Sequence, residues 1–221
     1  MKKESTKKRN EKKEVLKENK KTKILAISDI HGDSQLAKKL AKRAEEENVD
    51  LVIFAGDITL VDREVKGIIK PFTDLNKEVL LIPGNHDTLS TIRSMTDFYS
   101  KAKSIHGYSV MKGDLGIFGA GYDSNVGPFW VEDEEIFKTL KKSHEGIKNA
   151  KRKLMITHAH PSGGKVESLG FVGSKAVEKA IKQFKPDIAI SGHIHEGGGI
   201  VEYLHGVKSI NVARNAAIFE I

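Results

Sequence analysis

The chain has 221 residues, of which 38% are hydrophobic and 30% charged, as expected for a single globular domain. It contains no cysteine, which excludes disulfides and thiolate metal sites and agrees with a reducing cytoplasm, where we expect the protein. Apolar runs fall short of the roughly 18 residues that span a bilayer, so no transmembrane helix is expected. The N-terminal segment lacks the apolar core of a signal peptide, so no signal peptide is expected either.

The net charge of +7 is concentrated at the N-terminus. Residues 1–23 hold 11 of the 37 basic residues and four of the 30 acidic ones, which leaves 26 of each in the remainder. We therefore divide the chain into a basic tail, residues 1–22, and an electroneutral domain, residues 23–221. The tail fits a disordered, solvated extension. It also fits a weak electrostatic arm for nucleic acid or an anionic surface, although it has no aromatic residue for base stacking.

After the tail, short apolar runs alternate with helical periodicity. Strands are predicted at residues 24–28, 51–55 and 79–82. A helix is predicted at 35–48, with Ser34 as its N-cap, and a second within 63–75, which Pro71 should kink or split.

The second half begins with a predicted hairpin and ends with short strands. The hairpin pairs residues 108–111 with 115–118, and a long helix covers 132–149. Strand, helix and strand follow at 153–157, 174–183 and 188–191. Antiparallel strands are predicted at 199–204, 207–211 and 216–220. This order predicts a mixed α/β fold, parallel first and antiparallel late.

Five of the predicted strands run directly into side chains that commonly bind metals. The segments are Ser28-Asp29-Ile30-His31, Gly56-Asp57, Gly84-Asn85-His86-Asp87, His158-Ala159-His160 and Gly192-His193-Ile194-His195. Ligands of open α/β sheets bind outside the carboxyl ends of the strands, so these segments should form one site. Residues two apart in an extended segment point to the same side, which lets each Asp-x-His or His-x-His pair share a centre.

Seven of these side chains are candidate metal ligands: Asp29, His31, Asp57, Asn85, His158, His193 and His195. Seven ligands are more than a closed tetrahedral site can hold, and they suit two divalent metal ions that share a carboxylate. Oxygen and nitrogen ligands without sulfur favour Mn, Fe, Zn, Co or Ni, and the sequence leaves the choice open.

In this order, the motifs resemble the calcineurin-like metallophosphoesterase superfamily over residues 29–195. The opening Ile-Ser-Asp-Ile-His-Gly and the segment Phe118-Gly119-Ala120-Gly121 are most similar to its small prokaryotic Icc-related phosphoesterases. The resemblance implies a four-layer α/β/β/α sandwich of mixed sheets. It also implies an enzyme that hydrolyses phosphate esters of small molecules or nucleotides, phosphodiesters more than monoesters.

The resemblance further implies a role for each site residue. One metal would be held by Asp29, His31 and His195, the other by Asn85, His158 and His193, and Asp57 would bridge them. A metal-bridging hydroxide would attack phosphorus directly. His86 would act as general acid on the leaving oxygen, and Asp87 would orient His86 through a hydrogen bond.

Two other functions remain open at this stage: a non-catalytic binding scaffold of the same fold, and a nuclease. The complete ligand set argues against the scaffold, and the electroneutral domain gives the nuclease little support. Several further residues are less decisive. His160 could face the cleft or be structural, whereas His106, His144 and His205 are expected to be structural or on the surface. Tyr122, Asn125, Phe129 and Trp130 could line the substrate cleft, although core packing explains Phe129 and Trp130 equally well. The oligomeric state is left open.

Overall fold

The computed structural model describes residues 21–63, 65–124 and 126–221. Almost all of the basic tail lies outside these ranges, as does Asn125, so what was predicted for them stays a prediction. None of the helices within these ranges is long and apolar enough to cross a membrane.

The strands of the described residues form two mixed sheets. The first sheet has the order β11-β1-β2-β3-β4, with β1 at Lys23–Ile27, β2 at Leu51–Ala55, β3 at Glu78–Ile82, β4 at Ala102–Ser104 and β11 at Ala217–Glu220. The second has the order β5-β6-β7-β8-β10-β9, with β5 at Ser109–Lys112, β6 at Leu115–Ala120, β7 at Arg152–Thr157, β8 at Ile188–Ser191, β9 at Val201–Leu204 and β10 at Val207–Asn211.

Helices cover the outer face of each sheet. They are α1 at Ser34–Glu46, α2 at Lys70–Asp74, α3 at Leu89–Phe98, α4 at Asp133–Glu145 and α5 at Lys175–Phe184, with short 3-10 helices at Glu167–Leu169 and His195–Gly197. Side chains alternate along β1, so that Ile24 and Ala26 pack between the sheets while Leu25 and Ile27 pack under α1 to α3. A third core lies between the second sheet and helices α4 and α5. The predicted four-layer α/β/β/α sandwich is therefore confirmed.

The last three strands were predicted to be antiparallel to one another, but they do not form one antiparallel unit. Strand β9 is antiparallel to β10, but β10 pairs in parallel with β8. Strand β11 leaves that sheet and pairs antiparallel with β1 in the other one. The positions of these strands were readable in the sequence, whereas the choice of partner depends on how the two sheets close.

Helix starts also differ from the prediction. The N-cap of α1 is Asp33, whose Oδ1 accepts the Leu36 N–H at 2.9 Å, and Ser34 is the first helical residue. Pro71 lies in the first turn of the short helix α2, where a missing N–H costs nothing, so it begins a helix and does not kink one. Helix α3 and strand β4 were not predicted; α3 is capped by Thr88, which accepts from the Thr91 N–H.

Candidate metal centre

The fold brings the carboxyl ends of β1, β2 and β3 opposite those of β7 and β8. The polar segments that follow these strands meet there, across the gap between the two sheets. All seven side chains predicted as ligands lie in this cluster, and the contacts below connect each of them to at least one other.

Asp29 lies between two of the candidate ligands, His31 and His195. Its Oδ1 is 3.8 Å from His31 Nε2 and 3.5 Å from His195 Nε2, and these two nitrogens are 3.3 Å apart. Asp29 is fully buried, and within the described ranges its Oδ1 has no hydrogen-bond partner. A buried carboxylate oxygen surrounded by imidazole nitrogens is the arrangement that a divalent cation would satisfy.

Asp57 lies between the two halves of the cluster. Its Oδ2 is 3.6 Å from His31 Nε2, and its Oδ1 is 3.5 Å from His158 Nε2. Oδ1 also accepts the backbone N–H of His86 at 2.8 Å. Each oxygen of one buried carboxylate therefore faces a different imidazole, which is what a carboxylate shared by two metals requires.

His158 is held by its other ring nitrogen. Its Nδ1–H donates to the Ala55 carbonyl at 2.9 Å, which leaves Nε2 directed at Asn85 Oδ1, 2.8 Å away. Such a hydrogen bond from the far nitrogen fixes the orientation of metal-ligating histidines. Burial disfavours the charged ring, but the attraction of Asp57 and Asp29 outweighs it and raises the pKa of His158.

His193 lies beside His158 and beside an acid that was not predicted from the sequence. Its ring centroid is 5.2 Å from that of His158, and its backbone N–H donates to Asp29 Oδ2 at 2.9 Å. Its Nε2 is 3.8 Å from Oδ1 of the buried Asp123. Asp123 follows β6, a strand that carries no metal-binding motif. The apolar run before it and the glycine at 121 were the available signals.

Electrostatics show why the cluster suits a cation. Burial raises the pKa of Asp57 to about 7, and repulsion from Asp29 and Asp87 adds to the shift. Burial also opposes ionisation of Asp29, but the nearby His195 ring and the charge of His158 lower its pKa to about 2. Burial lowers the pKa of His193 to about 4. Two buried carboxylates close together, with several imidazoles beside them, form a site that fits divalent metal ions.

The backbone of the site is held in an uncommon conformation. Asp29, His31, Asp57 and His193 have φ angles of 59°, 47°, 49° and 72°, all in the left-handed region. Few residues other than glycine adopt it, although asparagine, aspartate and histidine do so more often than most, and such conformations cluster at functional sites. The glycine before Asp57 has a φ of 94°, and a Cβ there would collide with the His158 ring. The approach of β2 to His158 therefore requires glycine.

Among the described residues, Asp87 makes no hydrogen bond with His86, contrary to the bond that was predicted. Its two oxygens accept the N–H groups of residues 58, 59 and 84 at 2.8 to 3.0 Å, together with Thr59 Oγ1 at 2.7 Å. These four donors occupy the carboxylate, which ties the loop after β2 to the loop after β3. His86 instead packs edge-on against His31, with centroids 5.0 Å apart, and its Nδ1 has no partner in the part of the chain that the structure describes.

The remaining histidines lie outside the cluster. His160 is buried, and its Nε2–H donates to the Phe171 carbonyl at 3.3 Å. His106 accepts the Gly121 N–H at 2.9 Å through Nδ1, and His144 stacks on a phenylalanine of α5 at 4.4 Å. His205 pairs with a glutamate at the surface. These placements are structural, as was expected for His106, His144 and His205.

The aromatic residues that were expected to line a cleft surround a separate cavity. Tyr122, Phe129 and Trp130 contribute to a space of about 490 Å³ together with His106. The Phe129 N–H donates to the Asn85 carbonyl at 3.1 Å, so this cavity adjoins the loop after β3. None of the seven candidate ligands lines it.

Arg214 is a second residue that the motifs did not indicate. Its guanidinium donates to the backbone carbonyls of Asp29 and Ile30 at 3.2 and 3.3 Å. These bonds hold the turn after β1, where the first candidate ligands lie.

Solved structures with the same fold come from bacteria, animals and archaea. The protein TT1561 of Thermus thermophilus is 17% identical, with a TM-score of 0.73 over 88% of this chain and 90% of that one. A dimetal phosphatase from Danio rerio is 13% identical, with a TM-score of 0.61 over 86% of each chain. An archaeal phosphodiesterase is 21% identical, with a TM-score of 0.52 over 90% of this chain and 99% of that one.

No curated protein matches the chain significantly. A family model described as calcineurin-like phosphoesterase, however, matches residues 22–197, which contain every candidate ligand. The ligand order, the four-layer fold and this match agree. The chain belongs to the calcineurin-like phosphoesterase family of metal-dependent hydrolases.

Proposed function

We propose that the protein hydrolyses phosphodiesters with two divalent metal ions bound at the carboxyl ends of its strands. The observation that carries the proposal is Asp57, whose two oxygens face the imidazoles of His31 and His158 at 3.6 and 3.5 Å. A family of phosphoesterases and a structural neighbour that is a phosphodiesterase support the reaction class.

The cluster divides into two ligand sets around Asp57. The first set is Asp29, His31 and His195, and the second is Asn85, His158 and His193. The contacts of Asp29 with both histidines of its set, and of Asn85 with His158, support this division. When bound, the ions would activate water and polarise the phosphate; manganese is the first candidate among Mn, Fe, Zn, Co and Ni.

His86 is the proposed proton donor to the leaving oxygen. Its ring lies against His31 at the rim of the cluster and is partly exposed to solvent, so it can face a bound ester. Burial lowers its pKa, and Asp87 and Asp29 oppose this shift by electrostatic attraction. A phosphate anion beside the ring would favour its protonated form in the same way. Asp87 supports this role only indirectly, because it fixes the loop that carries His86.

Metal dependence tests the proposal. A chelator should abolish hydrolysis of bis(4-nitrophenyl) phosphate by the full chain, and manganese should restore it. Elemental analysis after loading should approach two ions per chain, and Asp57→Asn should lose both ions together. The matched control is Asp97→Asn, an exposed acid on α3. A chelated protein with undiminished turnover, or an Asp57→Asn variant that still binds two ions, would contradict the two-metal assignment.

The binding-scaffold alternative predicts no turnover under any metal condition, so the same assay decides it. All seven ligand side chains are present and clustered, which favours the enzyme. The nuclease alternative, the cytoplasmic location and binding of nucleic acid by the tail remain predictions.

A further inference from the structure

An apolar surface borders the candidate metal centre beside His193. A cavity of about 260 Å³ opens there, between His193 and Asp123 on one side and three apolar residues on the other. These three residues, Val126, Phe171 and Val172, are called the apolar wall here. Their exposed fractions are 57%, 36% and 69%, so the wall faces solvent next to a strongly polar site.

Polar contacts hold the backbone of the segment that carries Phe171 and Val172. His160 donates to the Phe171 carbonyl at 3.3 Å, and the Ser174 N–H donates to the His160 carbonyl at 2.8 Å. The Glu167 carboxylate accepts the N–H groups of Gly163 and Gly173 at 2.6 and 3.0 Å. The loop is therefore held in place while it exposes apolar side chains, which is the arrangement of a preorganised binding surface.

The wall and the proposed proton donor adjoin different histidines of the cluster. His193 packs against His158, with ring centroids 5.2 Å apart, whereas His86 packs against His31 at 5.0 Å. A phosphodiester carries a leaving group and a second group that stays on phosphorus. If the leaving group lies toward His86, the retained group is directed toward His193 and the wall.

We infer that the apolar wall binds the retained group of the substrate and gives the enzyme a preference for diesters in which that group is apolar. This inference rests on the proposed phosphodiesterase function and deepens it. The size of the cavity supports it, because about 260 Å³ is less than the usual volume of a site for a whole drug-sized ligand. It suits one ring or a short alkyl chain.

Two diesters with the same leaving group test the inference. Phenyl 4-nitrophenyl phosphate and methyl 4-nitrophenyl phosphate both release 4-nitrophenolate, and they differ only in the retained group. The manganese-loaded full chain should favour the phenyl ester, and Phe171→Ala and Val172→Ser should each reduce the phenyl-to-methyl ratio of kcat/KM. Because apolar contacts of this size discriminate by about 10-fold or more, a reduction of about 5- to 10-fold is expected.

The matched controls are exposed residues of the same types elsewhere. Phe98→Ala changes a side chain that is 79% exposed at the end of α3, and Val201→Ser changes one that is 47% exposed on β9. Both should leave the ratio unchanged. The difference in intrinsic reactivity between the two esters is the same for every variant, so a change in the ratio reports the wall.

Binding gives a readout that does not depend on turnover. Calorimetry should show that phenylphosphonate binds the parent more tightly than methylphosphonate does, and that the wall variants lose this difference. Equal ratios in parent and wall variants would overturn the inference, and so would a proportional loss on both esters. If both esters are hydrolysed in a metal-dependent way and the wall variants keep the parent phenyl-to-methyl ratio, only the inference about the wall is refuted. If neither ester is hydrolysed, the proposed function is refuted and the inference with it.

Discussion

Replacing Asp57 with asparagine should stabilise the metal-free protein at neutral and alkaline pH. Burial, with repulsion from Asp29 and Asp87, raises the pKa of Asp57 to about 7 from its ordinary 3.8. The folded chain therefore binds this proton more tightly than the unfolded chain does. The stability linked to that proton is fully present below pH 3.8 and is lost as the pH rises to about 7. Without a metal, the ionised carboxylate is a cost that asparagine removes.

The structure sets the size of the effect. A rise in the pKa from 3.8 to about 7, at about 1.36 kcal/mol for each pH unit, gives an upper figure of about 4 kcal/mol. Asparagine has nearly the same shape, can accept the His86 N–H at the same oxygen, and tolerates the φ of 49° at this position. For a domain of this length, about 1 kcal/mol moves Tm by about 2–4 °C, so the gain at pH 8 should approach about 10 °C.

Thermal unfolding of chelated protein from pH 4 to pH 8, at constant ionic strength, measures this effect. The Tm difference between Asp57→Asn and the parent should widen up to about pH 7 and then level off. Asp97→Asn should show no such trend. A variant that is less stable than the parent at every pH, or a difference that does not grow with pH, would refute the reasoning.

Three further predictions concern His86, Asp87 and the tail. His86→Ala should keep both metal ions but lose about 10²–10⁴-fold in rate on an alkyl or nucleotide ester, and far less on a nitrophenyl ester, because an acidic phenol leaves without a proton. Equal losses would assign His86 to phosphate binding. Asp87→Asn should lower the free energy of unfolding by about 3 kcal/mol, since four donors lose a charged acceptor, and should leave the ratio of rates on the two ester types at its parent value. A protein that starts at Thr22 should turn over small aryl esters normally, while any affinity for nucleic acid falls and depends less steeply on salt; loss of turnover would rule out the solvated extension.

The ligand cluster was predictable because buried parallel strands have continuous apolar sequences. Such runs have clear ends, and Asp29, Asp57 and Asn85 follow them within three residues. Once the strands were placed, the rule that ligands lie at carboxyl ends was enough to bring the side chains together.

What could not be predicted depends on contacts between distant segments. The carboxylate of Asp87 accepts hydrogen bonds from three backbone N–H groups and one hydroxyl group. No spacing in the sequence shows that it bonds to these donors and not to His86. Asp123 and the apolar wall come from loops that carry no motif, and only the closed sandwich places them beside His193. Helix α3, by contrast, was readable, because Leu89, Ile92, Met95 and Phe98 recur every three residues as on one face of a helix.

The pairing of β11 with β1 has a consequence for how the protein folds during synthesis. The N–H of Thr22 donates to the Ile221 carbonyl, and the N–H of Ile221 donates back, so the outer edge of β1 is closed by a strand that leaves the ribosome long after it. The preceding segment also bonds to Ser28, beside the first candidate ligand. Until then β1 presents an open apolar edge on which other chains can add. Nascent chains stalled before residue 212 should therefore be the form that most needs a chaperone.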